Sequence, residues 1–370
     1  MFPRAFLIGL GLHRNYGGQQ KHFNVQLGPH PYFLVDTMDE GPLKKELQKC
    51  SECLFKQTDW VFAHRGGPLQ FPEHTEELYR AGAREGAGVI ECDVAFTKDK
   101  KLVCRHSQCD LHTTTDPFTS SINGTPADAL CCTSDITEAE FKTLCGKMDG
   151  FNLNATTVEE YMDGTPYFRT GLYSTCGKLM THDESIRLID SLGFKFTTEL
   201  KTPNVKMPFD SYTQEQYAQD LIDAYKKAGI HPSRVWPQSF LLDDILLWIK
   251  NEPKFGKQPV YLDERVDTSE GCTNATASIP DLAKKGNKVV LSEYALAVNK
   301  AGMEIVTWSF ERSGWLNKGG DYYYQYVKNV INNDGDTYMM LDVLVKQVGI
   351  KAIFSDWPAT TVYYANCFNL

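Results

Sequence analysis

Trp60-Val61-Phe62-Ala63-His64-Arg65-Gly66-Gly67 is the stretch on which the reading of this chain turns. A short apolar run ends in a histidine, an arginine and two glycines, the pattern of a buried strand entering a tight turn. Glu91-Cys92-Asp93 and Arg105-His106-Ser107 follow, each at a predicted strand end or strand-to-loop junction. Carboxylates hold hard divalent cations, arginine holds phosphate, and two histidines can move protons in opposite directions. That inventory fits metal-assisted cleavage of a phosphate ester.

Outward from this stretch, short β-branched runs alternate with longer amphipathic ones, the mark of βα units. Predicted strands cover 60–64, 89–96, 194–200, 234–239, 260–263, 288–291, 304–308 and 352–355. Helices fit between most of them. One spans 75–85, another opens at the capping box Thr181-His182-Asp183-Glu184, and a third opens at Ser292-Glu293. Eight such strands predict an α/β fold, a (β/α)₈ TIM barrel, over a doubly wound open sheet. The expected divisions are an N-terminal extension over 1–58, a barrel over 59–362 and a tail over 363–370. Within the barrel, a cysteine-rich insertion over 111–180 follows the second strand and is expected to lie over the active-site face.

The chain has 370 residues, 23% charged and 42% hydrophobic, with a net charge of -9 and a pI near 5.5. No basic surface announces nucleic acid or an anionic membrane. Eleven cysteines and three sequons, at Asn123, Asn154 and Asn274, favour an oxidising secretory compartment and a secreted glycoprotein. A bridge between Cys104 and Cys109 would stiffen the loop of His106, and Cys50-Ser51-Glu52-Cys53 reads as disulfide stock. Arg4 and the apolar run 5–12 resemble the start of a signal peptide, without a clear cleavage site. No other apolar stretch approaches the roughly 20 residues of a membrane span, so stable membrane insertion is not expected.

On a strand, residues two apart share a face, so Glu91 and Asp93 project together while Cys92 points away. A divalent cation would relieve their repulsion; rim salt bridges are the plainer account, disfavoured because Val89 and Ile90 mark a buried strand. Glu199 is placed to complete a metal site and Lys201 to face phosphate, although a surface ion pair explains the same spacing. His64 and His106 are the candidate proton carriers. Trp308 is placed to meet an apolar alcohol or simply to line the barrel. Phe354-Ser355-Asp356-Trp357-Pro358 closes the last strand and need do no more than terminate it.

These motifs resemble the glycerophosphodiester phosphodiesterase family, in its secreted fungal branch. The match runs in order through His64-Arg65-Gly66, Pro72-Glu73-His74-Thr75, Ile90-Glu91-Cys92-Asp93-Val94, Cys104-Arg105-His106-Ser107, Thr198-Glu199-Leu200-Lys201, Gln238-Ser239-Phe240, Thr307-Trp308 and Ser355-Asp356-Trp357. The resemblance implies hydrolysis of glycerophosphodiesters, such as glycerophosphocholine, to glycerol 3-phosphate and an alcohol. It implies Glu91, Asp93 and Glu199 as ligands of one divalent cation, with His64 and His106 as the acid/base pair. Arg65, Lys201, Gln238 and Trp308 would bind phosphate and substrate. All-oxygen ligands favour Ca²⁺ or Mg²⁺. Two departures stand out: His74, where many relatives have Asn, and Ser107, where many have Asp. The rival reading is a lipid-cleaving phosphodiesterase of the phospholipase D or sphingomyelinase D type. It needs an exposed apolar rim, which a polar insertion would not supply.

Overall fold

A computed structural model describes residues 24–116, 131–263, 289–291, 295–320, 322–324, 327 and 329–370. Asn123, Asn274, Cys272, Ser292, Glu293 and the apolar run 5–12 lie outside them.

All eight predicted strands form, as β1 (Thr58–Ala63), β2 (Ala87–Glu91), β7 (Lys195–Leu200), β8 (Val235–Ser239), β9 (Val260–Leu262), β10 (Val289–Leu291), β11 (Glu304–Thr307) and β12 (Ala352–Ser355). Each is parallel to its neighbours, and the pairing of β2 with β7 closes the ring. The second predicted strand divides at Cys92-Asp93. Its distal half, β3 (Val94–Phe96), forms an antiparallel ladder with β4 (Leu102–Cys104). A short ribbon, β5 (Cys145–Gly146) with β6 (Gly177–Lys178), lies in the expected insertion.

Closure sorts side chains by parity, since alternate residues of a strand face opposite ways. Phe62, Val89, Val260, Leu262, Val306, Ala352 and Phe354 pack together inside the ring, with Trp236, Phe240 and Trp308 against them. Their neighbours, including Val61, Ile90, Phe196, Val235, Ile305 and Ile353, join the larger core. The helices of that core are conventionally capped. Thr75 accepts from the Leu78 N–H, and Thr181 and Glu184 complete the predicted capping box.

The N-terminal extension contains two helices, His30–Thr37 and Pro42–Lys49; the first escaped the sequence reading. Both pack on the C-terminal helix Pro358–Phe368, within which the boundary drawn at 362 falls. Cys50 bridges to Cys367 there. The pairing expected between Cys104 and Cys109 does not form. Cys104 is buried beside Cys92 in the main core and bonds to it, while Cys109 bonds to Cys132, so the His106 loop is tethered on both sides. Cys145–Cys176 secures the ribbon, and Cys53 and Cys131 are unpaired among the described residues.

Two stability predictions follow from this arrangement. Replacing Cys50 and Cys367 together by Ser should lower the unfolding free energy by about 2–5 kcal/mol, measured by denaturant titration, because a chain-long cross-link is lost. Glu85 accepts from the Ala359 N–H at the start of the C-terminal helix. Burial nevertheless lifts its carboxyl from 4.5 to about 8. The folded state therefore holds this proton more tightly than the unfolded chain does. The associated stability is complete below about pH 4.5 and is lost as pH rises toward 8. Glu85→Gln should flatten that part of the stability–pH curve.

Candidate active site

The inward parity that fills the ring with apolar side chains continues past the strand ends with polar ones. His64 stands two residues beyond Phe62, Glu91 beyond Val89, Gln238 beyond Trp236, Trp308 beyond Val306 and Asp356 beyond Phe354. Glu199 shares this parity on β7, between the outward Thr198 and Leu200. All belong to the carboxyl-terminal ends of strands, where barrel enzymes build their sites.

The turn after β1 sets the geometry. Arg65 adopts a left-handed backbone (φ 52°), uncommon for a side-chain-bearing residue, and its N–H donates to Glu91 Oε2 at 2.5 Å. Gly66 makes the turn possible, because a Cβ there would meet the Tyr79 ring at 2.6 Å. The Arg65 guanidinium donates to Glu73 (2.9 Å) and to His106 Nε2 (2.8 Å). His106 accepts that bond, so its remaining proton sits on Nδ1. Burial, with the charges of Arg65 and Lys201, pushes its pKa well down.

His64 Nδ1 lies 3.0 Å from Asp356 Oδ2. The far oxygen of Asp356 accepts from Arg312 Nε at 2.6 Å, and Ser309 also bonds the carboxylate. Burial would raise this acid, but Arg312 and His64 outweigh it and hold it well below the carboxylate range. Asp356 therefore does more than end a strand. Arg312 reaches Glu73 at 3.3 Å and Asp149 at 3.4 Å as well, so one guanidinium joins the His64 and Arg65 sides.

Glu91, Asp93 and Glu199 are buried. Glu91 accepts from Gln238 at 2.7 Å, and burial, with Asp93 and Glu199 nearby, pushes its carboxyl well above the usual range. Burial raises Glu199 to about 7, against Lys201, whose ammonium lies 2.6 Å away, and with Asp93 adding to the rise. Burial also raises Asp93, yet the bond from His74 and the charges of His74, Lys201 and Arg65 bring it below its ordinary value. Asp93 Oδ2 takes the His74 Nε2–H at 3.1 Å, while Asp93 Oδ1 is buried without a hydrogen-bond partner. Three mutually opposed carboxylates beside an orphaned carboxylate oxygen are a donor set that a hard dication suits.

A tighter group escaped the sequence reading. Among the described residues, Glu73, His106 and Asp110 bring candidate ligand atoms within 4.8 Å of one another, whereas Glu91, Asp93 and Glu199 are less closely gathered. Glu73 already faces two guanidinium groups, which leaves little negative charge for an ion. The trio offers three carboxylates against one close ammonium, that of Lys201 on Glu199.

Several other residues behave differently from their sequence reading. Arg105 is wholly buried and structural, donating to Cys104 O, Thr114 and Glu73 O. Trp308 does follow one of its two readings, packing against the barrel interior. Ser107 bonds Asn204 and Cys109 N rather than the His106 ring. Glu73, Asp149 and Arg312 were missed. Asp356 was readable, being an acid two residues beyond an inward phenylalanine.

A closed parallel ring with histidines, carboxylates and basic side chains at its strand ends is the layout of a barrel enzyme. Residues 64–360 match the model of the glycerophosphoryl diester phosphodiesterase family. The chain belongs to that family, whose members are phosphoric diester hydrolases. It is 51% identical over 245 residues to an extracellular protein of Arthroderma benhamiae, covering 60% of this chain and all of that one. It is 22% identical to the Arabidopsis thaliana glycerophosphodiester phosphodiesterase GDPDL5 over 82% of this chain and 42% of the relative. Among solved structures, a putative glycerophosphoryl diester phosphodiesterase from Silicibacter pomeroyi superposes with a TM-score of 0.56 at 18% identity, over 87% of this chain and 98% of its own. An Oleispira antarctica phosphodiesterase in complex with sn-glycerol-3-phosphate gives 0.50 at 16% identity, over 84% and 97%.

Asp356→Ala removes the carboxylate from a buried ion pair and leaves Arg312 short of its closest partner. The unfolding free energy should fall by about 3–5 kcal/mol in urea titrations, far more than for an exposed pair.

Proposed function

We propose that this protein hydrolyses glycerophosphodiesters, such as glycerophosphocholine, to glycerol 3-phosphate and an alcohol, with one divalent cation, Ca²⁺ or Mg²⁺, held by Glu91, Asp93 and Glu199. The observation that carries the metal is the buried trio with Asp93 Oδ1 unpartnered. Family membership and the glycerol-3-phosphate complex of the Oleispira enzyme support the substrate class. When bound, the cation supplies positive charge to the phosphate and glycerol oxygens.

The chain's own groups do the rest. Arg65 and Lys201 orient the phosphoryl oxygens and offset charge gathering on them. Gln238 fixes Glu91, and Trp308 lines the pocket for the alcohol. One histidine takes a proton from the attacking oxygen, either water or the substrate's own 2-hydroxyl. The phosphorus–oxygen bond to the alcohol breaks, and the other histidine gives that oxygen a proton. A 2-hydroxyl attack leaves a cyclic phosphate, which water then opens. Asp356 and Arg65 position the two imidazoles.

We also place the protein outside the cell. Four disulfides need an oxidising compartment, the Arthroderma relative is named an extracellular protein, and Asn154 of the described sequon is exposed. No helix among the described residues is long and apolar enough to cross a membrane.

Incubation with glycerophosphocholine should release glycerol 3-phosphate, and EDTA should stop it. Activity that survives chelation would remove the metal from the scheme. His64→Ala or His106→Ala should lower turnover by roughly 10²–10⁴-fold; near wild-type turnover in either would reject its role. Calorimetric Ca²⁺ or Mg²⁺ binding should disappear when Glu91 and Asp93 are both replaced by Ala.

A further inference from the structure

The insertion was expected to be polar, yet its surface exposes large apolar side chains: Tyr167 (65%), Leu172 (76%) and Tyr173 (49%), with Trp315 (43%) from the segment after β11. Ring contacts engage three of them, and Leu172 adjoins Tyr173 in the chain. Tyr167 meets Trp315 edge-on at 5.4 Å, and Tyr173 stacks on Phe71 at 4.8 Å. Arg169, between Tyr167 and Tyr173 in the chain, donates to Leu69 O and Phe71 O and pairs with Asp149. Asp149 in turn meets Arg312, the residue that joins Asp356 and Glu73. The rim therefore adjoins the mouth of the candidate active site.

Contiguous exposed aromatic surface marks an interaction site, and tyrosine and tryptophan are the side chains that settle at the boundary between water and lipid headgroups. The charges narrow the partner. Lys318 lies over the Trp315 ring at 4.2 Å and offers an ammonium to phosphate. The nearby helix Val158–Met162 carries exposed Glu159 and Glu160, and the chain's net charge is -9, which opposes an anionic surface. We propose that this rim docks the active-site mouth onto a zwitterionic phospholipid surface. The identity of the mouth rests on the proposed hydrolase function; the docking does not.

The test is flotation of the full chain with phosphatidylcholine vesicles. Wild type should rise with the vesicles, equally at low and high salt. Leu172→Ser and Trp315→Ser, each confirmed folded by circular dichroism, should bind at least about ten-fold more weakly, the loss expected for withdrawing one large apolar side chain. Both should hydrolyse soluble glycerophosphocholine as wild type does. The proposal is overturned if wild type stays at the bottom of the gradient, or if folded variants float equally. It is also overturned if binding requires phosphatidylserine and low salt, or if the rim instead drives self-association in sedimentation without flotation. Flotation without any hydrolysis of glycerophosphocholine would support the docking and sink the proposed chemistry.

Discussion

Side-chain parity in a closed ring is the constraint on which the rest of this molecule depends. A strand within the ring presents alternate residues to a space too small for water-filled slack, so those positions are apolar along most of the strand. At the carboxyl ends the ring opens and the same parity continues with polar groups. Phe62 leads to His64, Val89 to Glu91 and Phe354 to Asp356. The site is thus the lid of a hydrophobic plug, and its low-dielectric floor accounts for the raised carboxyls of Glu91 and Glu199.

Burial on that floor makes every unpaired charge costly, and the sequence meets this with partners both near and far along the chain. Glu73 meets Arg65 and Arg312; Asp356 meets Arg312 and His64; Lys201 meets Glu199. The Glu73 and Asp356 pairs share Arg312, so losing it strands both acids. The Cys92–Cys104 and Cys109–Cys132 bridges add covalent restraint where Asp93 and His106 project from short segments with little core of their own. Entropic restraint of this kind matters most where apolar contact is scarce.

Much of this was legible because parallel barrel strands are buried on both faces and read as continuous β-branched runs. Ala352–Ser355 was found to the residue, and Lys195–Leu200 to within one. What stayed hidden depends on contacts between loops far apart in sequence, which no periodicity reports. Arg312 meets Glu73 across 239 positions. Disulfide partners were equally unreadable, since many pairings satisfy the same spacings. The helix His30–Thr37 was hidden by its own start, where Pro29 and Pro31 flank His30 and read as loop. The exposed aromatics of the insertion were present in the sequence, but composition alone does not say which face they occupy.

His74 is the residue that holds Asp93 in place. The residue sits buried with a left-handed backbone (φ 56°), a conformation that Asn, Asp and His tolerate better than most. Asp93 is an acceptor, so His74 Nε2 must carry the proton that joins them, and Nδ1 then accepts from the Tyr79 hydroxyl at 3.2 Å. Burial lowers the ring's pKa despite the adjacent carboxylate. An asparagine amide offers the same two assets, tolerance of the turn and an N–H for Asp93. The longer ring adds the Tyr79 contact, which locks its orientation. Here one oxygen of Asp93 is held from behind by His74 while Oδ1 has no hydrogen-bond partner, which fixes the direction in which that carboxylate faces.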